Sequence, residues 1–273
     1  MIDKVFILYN KVDVQKNQRF IEILKECLED ESTEFKVIFD DEDKDVYDVI
    51  GKGCLVVNRS RNEQIASRLE EQGAKVVNSS AVTGICNDKW QTYLWAKEHN
   101  IPVLDTYCGD EKVPEYPVVI KSLAGHGGSE VFLAHNDKEK EEYTQIIESR
   151  WGKNKYIIQP CADTKGRDIR VYVLDGQIVV AMCREASDGF KSNYSLGGTS
   201  RRIELNEKET DVVRRVQENM DLSYAGIDLI YDGDRVVLNE IEDAVGARMV
   251  YENTDIDIVK IFGDWMEKQK KMW

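Results

Sequence analysis

Histidine is scarce in this chain of 273 residues: the three present, His99, His126 and His135, share no ligand-like spacing, which argues against a zinc site. No C-x-x-C pair occurs among Cys27, Cys54, Cys86, Cys108, Cys161 and Cys183. Their scatter, mostly through apolar stretches, suits reduced and buried thiols in a cytosol. No apolar run is long enough to span a membrane, and the one in MIDKVFILYN is too short for a signal peptide, so a soluble cytoplasmic protein is expected. Positive charge is also in short supply. The formal net charge of -14 repels nucleic acid and anionic membranes alike, so neither is an expected partner and any bound anion needs a local pocket. Internal repeats, low-complexity tracts and long linkers are missing as well.

What is present can build a core. An apolar content of 42% over this length supports two modest domains or one elaborated α/β domain. The most informative stretch is Pro117 to Val131, PVVIKSLAGHGGSEV. Pro117-Val118-Val119-Ile120 is short and β-branched, as a buried strand is, and it ends in Lys121; the Gly125 to Gly128 cluster then reverses the chain. A strand-end ammonium and bare backbone N–H groups in one place suit phosphates. The same pattern also fits a plain turn with a solvated lysine. It lacks G-x-x-x-x-G-K-[ST], so it is not a P-loop, and its glycine order does not match a dinucleotide fingerprint.

Along the chain, strands at Val5 to Tyr9, Phe35 to Phe39, Cys54 to Val57 and Ala74 to Val77 largely alternate with helical patterns from Asn17 and over Ser60 to Gln72. Residues 1–85 therefore read as a small open parallel sheet. Asp40 to Asp45 reads as a solvated acidic loop. A helix starts at Asn87-Asp88-Lys89, capped by Asn87 or Asp88, with Trp90, Tyr93, Leu94 and Trp95 on its apolar side. The glycine hairpin, a helix from about Asp137 to Trp151 and a strand at Tyr156 to Gln159 that Pro160 cuts short make a small α+β lid. Two hairpins follow. One turns at Asp175-Gly176 and the other spans Ala225 to Glu242; a helix from Glu207 to Met220 separates them, and a last helix runs from about Asp255 to Trp273. Asp188 to Ser200 is polar and glycine-punctuated, as a mobile loop is. The expected divisions are 1–85, 86–160 with the lid, and 161–273.

The second hairpin carries Asp228, Glu240 and Glu242. Glu240 and Glu242 alternate with Ile241 and share a face. Register decides whether Asp228 joins them: a two-residue Asp232-Gly233 turn pairs it with Val237 and sends it to the opposite face, whereas a three-residue Asp232-Gly233-Asp234 loop pairs it with Leu238 and gathers all three. Three such carboxylates call for a cation, and hard oxygen ligands point to magnesium held with a phosphate chain; the plainer alternative is a half-exposed strand whose acids face water. Lys89, Lys121, Arg170, Arg184 and Lys191 fall at element ends, beside apolar strand neighbours or in a glycine-punctuated loop. Arg170 alternates with Ile169 and Val171, so its fork is free to grip a phosphoryl or carboxylate group. Each of these five, taken singly, also fits a surface salt bridge.

The ordered motifs Asn87-Asp88-Lys89, Pro117 to Val131, Gly166-Arg167-Asp168-Ile169-Arg170, Gly189-Phe190-Lys191-Ser192-Asn193, Gly197-Gly198 and Ala225-Gly226-Ile227-Asp228 with Glu240 resemble the ATP-grasp superfamily, in its RimK-like branch of amino-acid ligases. The resemblance covers Cys54 to Val250. It implies an ATP-grasp fold, α/β with an α+β lid, behind an N-terminal open parallel-sheet domain. It implies that Lys89 and Lys121 contact nucleotide phosphates under the loop of Gly125, Gly127 and Gly128, that Gln159, Pro160 and Cys161 meet adenine, and that Asp168 belongs to the nucleotide pocket. Lys191, Ser192 and Asn193 would reach toward the phosphates. Asp228, Glu240 and Glu242 would hold magnesium or manganese, and Arg170 would face the transferring phosphoryl group beside Lys121.

Three departures stand out. Pro160-Cys161 replaces the usual glutamate and its apolar follower at the hinge, Glu242 stands where asparagine is common, and Asp243 to Arg248 replaces small-Pro-Gly, so the substrate side is rebuilt. The implied activity is an ADP-forming carboxylate-amine ligase working through an acyl phosphate on small-molecule or peptide substrates, with homo-oligomers common among relatives. Arg248 is a candidate grip for a substrate carboxylate, or a structural salt bridge. A nucleotide-binding protein with lapsed catalysis and a ligase for a peptide or carrier protein are the alternatives.

Overall fold

A computed structural model describes residues 2–40, 46–109, 115–128, 130–164, 166–185 and 199–273. Four strands, β1 (Lys4–Tyr9), β2 (Glu34–Phe39), β3 (Cys54–Asn58) and β4 (Lys75–Val77), make a parallel sheet in the order β2-β1-β3-β4. The central β1 and β3 are buried almost throughout, as strands covered on both faces must be. Helices α1 (Lys11–Val14), α2 (Gln18–Leu28), α3 (Val46–Val49) and α4 (Glu63–Glu71) accompany it. The helical pattern read from Ser60 starts at Glu63, because Asn62 is extended and its side chain accepts the Ile65 N–H as a cap.

Two helices then cross over, α5 (Ser80–Cys86) and α6 (Lys89–Glu98). Asp88 caps α6 by accepting from the N–H groups of Trp90 and Gln91. The apolar side of α6 differs from the expectation: Trp95, Ala96 and Thr92 are buried, Leu94 is exposed, and Trp90 and Tyr93 stack on each other 5.2 Å apart. The short run of helix α5 was not anticipated, since seven residues with glycine inside carry little periodicity.

The lid follows as an antiparallel sheet, β5-β8-β6-β7, from β5 (Tyr107–Cys108), β6 (Val118–Ser122), β7 (Val131–Ala134) and β8 (Tyr156–Pro160), with helix α7 (Asp137–Trp151) packed on it. Pro160 closes β8 as its last residue, opposite Val118. The lid has its own small core of Val118, Ile120, Ala134, Ile147, Tyr156 and Ile158.

The third sheet, β11-β10-β9-β12-β13, is antiparallel and carries the site. It comprises β9 (Arg167–Leu174), β10 (Gln177–Glu185), β11 (Thr199–Ile203), β12 (Tyr224–Asp232) and β13 (Arg235–Glu242), with helices α8 (Glu207–Asn219), α9 (Arg248–Asn253) and α10 (Ile258–Met272). Asp175 and Gly176 both take positive φ, 48° and 72°, and give β9 and β10 the expected two-residue hairpin. Thr199 and Ser200 belong to β11 rather than to a loop, and residues 186–198 lie outside those described.

Alternation divides this sheet cleanly. Ile169, Val171, Val173, Ala181, Ile227 and Leu229 face one way and pack under α5, α6 and α8 with Val82, Trp95, Val212 and Val216. The other face is apolar at one end, where Tyr172, Leu174, Val180, Met182 and Tyr224 join Val5, Ile7 and Tyr9 of β1, Phe20 and Leu24 of α2, and Phe262 and Met266 of α10. The first sheet thus shares a core with the third. Tyr224 and Phe262 stack at 4.8 Å in its centre. The rest of that face is charged.

Candidate active site

The β12–β13 hairpin adopts neither register expected from its turn. Its two-residue turn is Gly233-Asp234, with Asp232 opposite Arg235 and Leu229 opposite Leu238. A β-bulge then inserts Asn239, so the next pair is Asp228 with Glu240. The extra residue switches the side-chain parity of β13: Val236, Leu238 and Ile241 all enter the same apolar cluster although their numbers are not of one parity. Glu240 and Glu242 are thereby turned to the face of Asp228, and oxygens of the three carboxylates lie within 4.8 Å of one another.

Two arginines thread this acidic row. Arg170, directly across from Asp228 on β9, donates through Nε and Nη2 to Oδ1 and Oδ2 of Asp228 at 2.7 Å each, and through Nη2 to Glu242 Oε1 at 2.7 Å. Arg184, across from Asp168 on β10, donates to both oxygens of Asp168 at 2.6 and 2.7 Å and to Asp228 Oδ2 at 2.6 Å. The result is an alternating chain, Asp168–Arg184–Asp228–Arg170–Glu242. Asp228 is fully buried, and although burial alone would raise its pKa, the two guanidiniums outweigh that and hold it down.

Facing this row is the lid. One cavity is lined by Lys89, Lys121, Gly125, Gly127 and Gly128, by Gln159, Pro160, Cys161 and Ala162, and by Asp168, Asn239 and Glu240. Lys121 Nζ donates to Asn239 Oδ1 at 2.9 Å and Lys89 Nζ to the Gly125 carbonyl at 2.6 Å; among the described residues neither lysine forms an ion pair. Burial lowers the pKa of Lys121 to about 8. Burial likewise raises that of Glu240, against the pull of Lys89, and the charges of Asp228 and Glu242 add to the rise. Glu240 makes no hydrogen bond or ion pair with any described residue. A larger groove of about 670 Å³ lies elsewhere, by Lys97, Asp105, Lys208 and Asp234. It contains none of the groups above.

The donor set fits a divalent cation. Among the described residues Glu240 has no hydrogen-bond or ion-pair partner, Glu242 has one oxygen bound by Arg170, and Asp228 Oδ1 accepts a single bond, which leaves it a second lone pair. All are hard oxygens, and among the described residues no histidine or cysteine belongs to the group.

The structure brings Lys89, Lys121, Gly125, Gly127, Gly128, Gln159, Pro160, Cys161, Asp168 and Glu240 to one cavity, with Arg170, Asp228 and Glu242 adjoining it. Lys191, Ser192 and Asn193 lie outside the described residues. Arg248 sits exposed at the start of α9. At the hinge Pro160 has no N–H, and that of Cys161 is taken by the Pro117 carbonyl at 3.1 Å.

Three residues escaped the sequence reading. Asn239 was hidden by the bulge. Glu130 is buried under the glycine loop, where its Oε2 accepts from Ser122 Oγ at 2.6 Å and Trp151 Nε1 at 2.8 Å. Arg59, only 3% exposed, donates from Nη2 to the carbonyls of Ala244 and Val245 at 3.0 and 2.9 Å, and so ties the first sheet to the segment just after Glu242. A lone arginine after an apolar strand carries no signal of such a role.

This three-sheet arrangement, with a lysine-bearing lid over an acidic antiparallel sheet, is the ATP-grasp fold. It superposes on D-alanine--D-alanine ligase from Bacillus anthracis complexed with ATP with a TM-score of 0.73 at 14% identity, covering 99% of each chain. The RimK domain protein ATP-grasp from Sphaerobacter thermophilus gives 0.69 at 18%, covering 96% of this chain and 98% of that one. Residues 105–266 match the family model of the RimK-like ATP-grasp domain. In sequence, an uncharacterized MG011 homolog of Mycoplasma pneumoniae is 30% identical over 90% of this chain and 85% of its own length. Human N-acetylaspartylglutamate synthase A is 30% identical over 74% of this chain, which spans only 54% of that protein. The chain belongs to the RimK-like ATP-grasp family.

Proposed function

We propose that the chain is an ATP-dependent, ADP-forming ligase that joins a carboxylate to an amine. The observation that carries this reading is the arrangement across one crevice: among the described residues two ammonium groups without an ion pair face a carboxylate, Glu240, that is close enough to feel their charge and forms no ion pair either. A triphosphate with a divalent cation satisfies both sides at once.

In this reading Lys89 and Lys121 hold the phosphates under the Gly125 to Gly128 loop, Gln159 to Cys161 flank the base, and Asp168 closes the nucleotide end. Glu240, Glu242 and Asp228 hold magnesium or manganese, which when bound supplies positive charge to the phosphoryl oxygens. A substrate carboxylate oxygen attacks the γ-phosphorus in line, the bond to ADP breaks, and Arg170 and Lys121 neutralise charge on the transferring group. An amine nitrogen then attacks the acyl carbon, inorganic phosphate leaves, and the nitrogen gives up a proton. No protein nucleophile takes part. The lid over the cavity keeps water from the acyl phosphate.

The named relatives support amino-acid or peptide substrates: one is an N-acetylaspartylglutamate synthase, another a D-alanine--D-alanine ligase, and the ATP-grasp ligase PsnB is complexed with a precursor peptide. Residues 1–85 would then be the N-terminal α/β domain, 86–160 the central region with the lid and 161–273 the C-terminal part that carries the metal site. The free state of all six cysteines supports a reducing compartment such as the cytoplasm, and no described helix is long and apolar enough to cross a membrane.

Incubation with ATP, magnesium and pooled amino acids or peptides tests the proposal. Substrate-dependent ADP with a new amide is the expected result, and AMP release contradicts the scheme. A second reading, nucleotide binding without turnover, is favoured by Glu242, whose Oε1 is already held by Arg170 at 2.7 Å in the proposed cation site. Binding of ATP with no product from any pool would establish it.

A further inference from the structure

We propose that Arg184 is a positioning residue for phosphoryl transfer, acting through Asp168 and Asp228 while touching neither nucleotide nor phosphate. The inference rests on the ligase reading and adds to it a residue outside the cavity. Arg184 is 4% exposed and does not line the cavity that holds Lys121, Glu240 and Asp168. Its guanidinium nonetheless contacts two acids with different tasks. Nε and Nη2 form a fork on Asp168, at the nucleotide end, and Nη2 also reaches Asp228, behind the phosphoryl end.

The geometry shows why a second arginine is needed at Asp228. Arg170 brings one positive charge to two carboxylates, its Nη2 donating to both Asp228 Oδ2 and Glu242 Oε1. A carboxylate held by one fork can rock about its own bond and carry the fork with it. The added N–H from Arg184, arriving from β10 on the far side of β9, pins Oδ2 from a second direction. Asp228 is thereby fixed, and with it the plane of the Arg170 guanidinium and the free lone pair of Oδ1. The strand pairing makes this possible: Arg184 stands opposite Asp168, and Arg170 opposite Asp228, so the four side chains cross three strands on one face. An ammonium cannot replace the fork, because it is a point charge on a flexible stem.

The test is Arg184→Lys in the full chain, read in three ways. Positioning predicts a melting temperature close to the parent, since the charge is kept, with kcat lowered about 100-fold, the scale of an ångström-level misplacement. It also predicts ATP affinity by calorimetry weakened about tenfold as Asp168 loses its fork. A variant with parent kcat and parent ATP affinity, whatever its melting temperature, overturns the proposal and leaves Arg184 a structural ion pair. If the parent itself ligates no substrate, the ligase reading fails separately, and the ATP affinity of the variant still decides the Asp168 arm. Should the lysine variant not fold, the arginine Nε–H resonances of the parent decide. With a non-hydrolysable ATP analogue and magnesium, the Arg170 signal should shift while that of Arg184 keeps its position and slow solvent exchange; rapid exchange at Arg184 overturns the role.

Discussion

The two walls of the crevice solve opposite electrostatic problems. On the sheet side, Asp168, Arg184, Asp228, Arg170 and Glu242 are paired end to end at 2.6 to 2.7 Å, three acids on two arginines, and Glu240 beside them adds to the acidic excess. On the lid side, Lys121 rests on a neutral amide and Lys89 on a backbone carbonyl. Burying charges is costly unless they are matched, and the two walls carry opposite excesses, acidic on the sheet and basic opposite it. In the proposed reading, an anion completes the wall that carries Lys121 and Lys89. The difference teaches where ligand binding should change stability: strongly at Lys121 and Glu240, weakly along the arginine chain.

Glu240→Gln should break the comparison most severely. Turnover is expected to fall by about 1,000-fold, the scale of losing a principal electrostatic stabiliser, with the melting temperature unchanged or raised because an unpartnered carboxylate is gone. ADP release and thermal unfolding measure the two halves, and retained turnover would remove Glu240 from the cation site.

Lys121→Met comes next, with ATP affinity expected to drop about 10- to 100-fold and no loss of stability. Its pH dependence follows from the shift. The folded pKa of about 8 lies below the ordinary 10.5, so the folded state disfavours the ammonium. That destabilisation is fully present below pH 8 and is relieved as pH rises from 8 toward 10.5, where the unfolded chain binds more protons. The stability of the parent relative to the methionine variant should therefore rise across that window while the parent's ATP affinity falls toward that of the variant; a stability difference that stays constant with pH contradicts the shift.

Gly125→Ala sharpens the comparison on the loop. A Cβ there would collide with Ser122 Oγ and come within 2.7 Å of Glu130 Oε2, so the loop must move. If the loop only positions phosphates, as proposed, a roughly tenfold rise in the KM for ATP is expected at little change in kcat. The smallest effect should come from Trp151→Phe, which deletes one hydrogen bond to Glu130 and should destabilise the lid by about 1 kcal/mol, seen by denaturant titration.

Much of this was readable in the residues themselves. Asp175-Gly176 announced its hairpin because both positions need positive φ, and the lysine and glycines after Ile120 announced the lid wall. The arginine chain was not readable as a chain, since alternation reveals which face Arg170 and Arg184 take but not which strands lie alongside. The bulge at Asn239 was the decisive omission. Turn residues alone indicated two registers, and a third was set by the need to bury Val236, Leu238 and Ile241 together, a tertiary demand that no local pattern expresses. The 186–198 segment, with Lys191, Ser192 and Asn193, contributes nothing to that account because it lies outside the described residues.

The six-residue core of the lid, separate from the larger cores around it, makes the lid a unit that can open without unfolding the rest. Its amides should exchange with solvent sooner than those of β9 and β12, and a protease should find it first. Because Lys121 lies on that unit, nucleotide binding would be visible as slowed exchange across β6, β7 and β8, so the chain carries a built-in gauge of occupancy that needs no product to be formed.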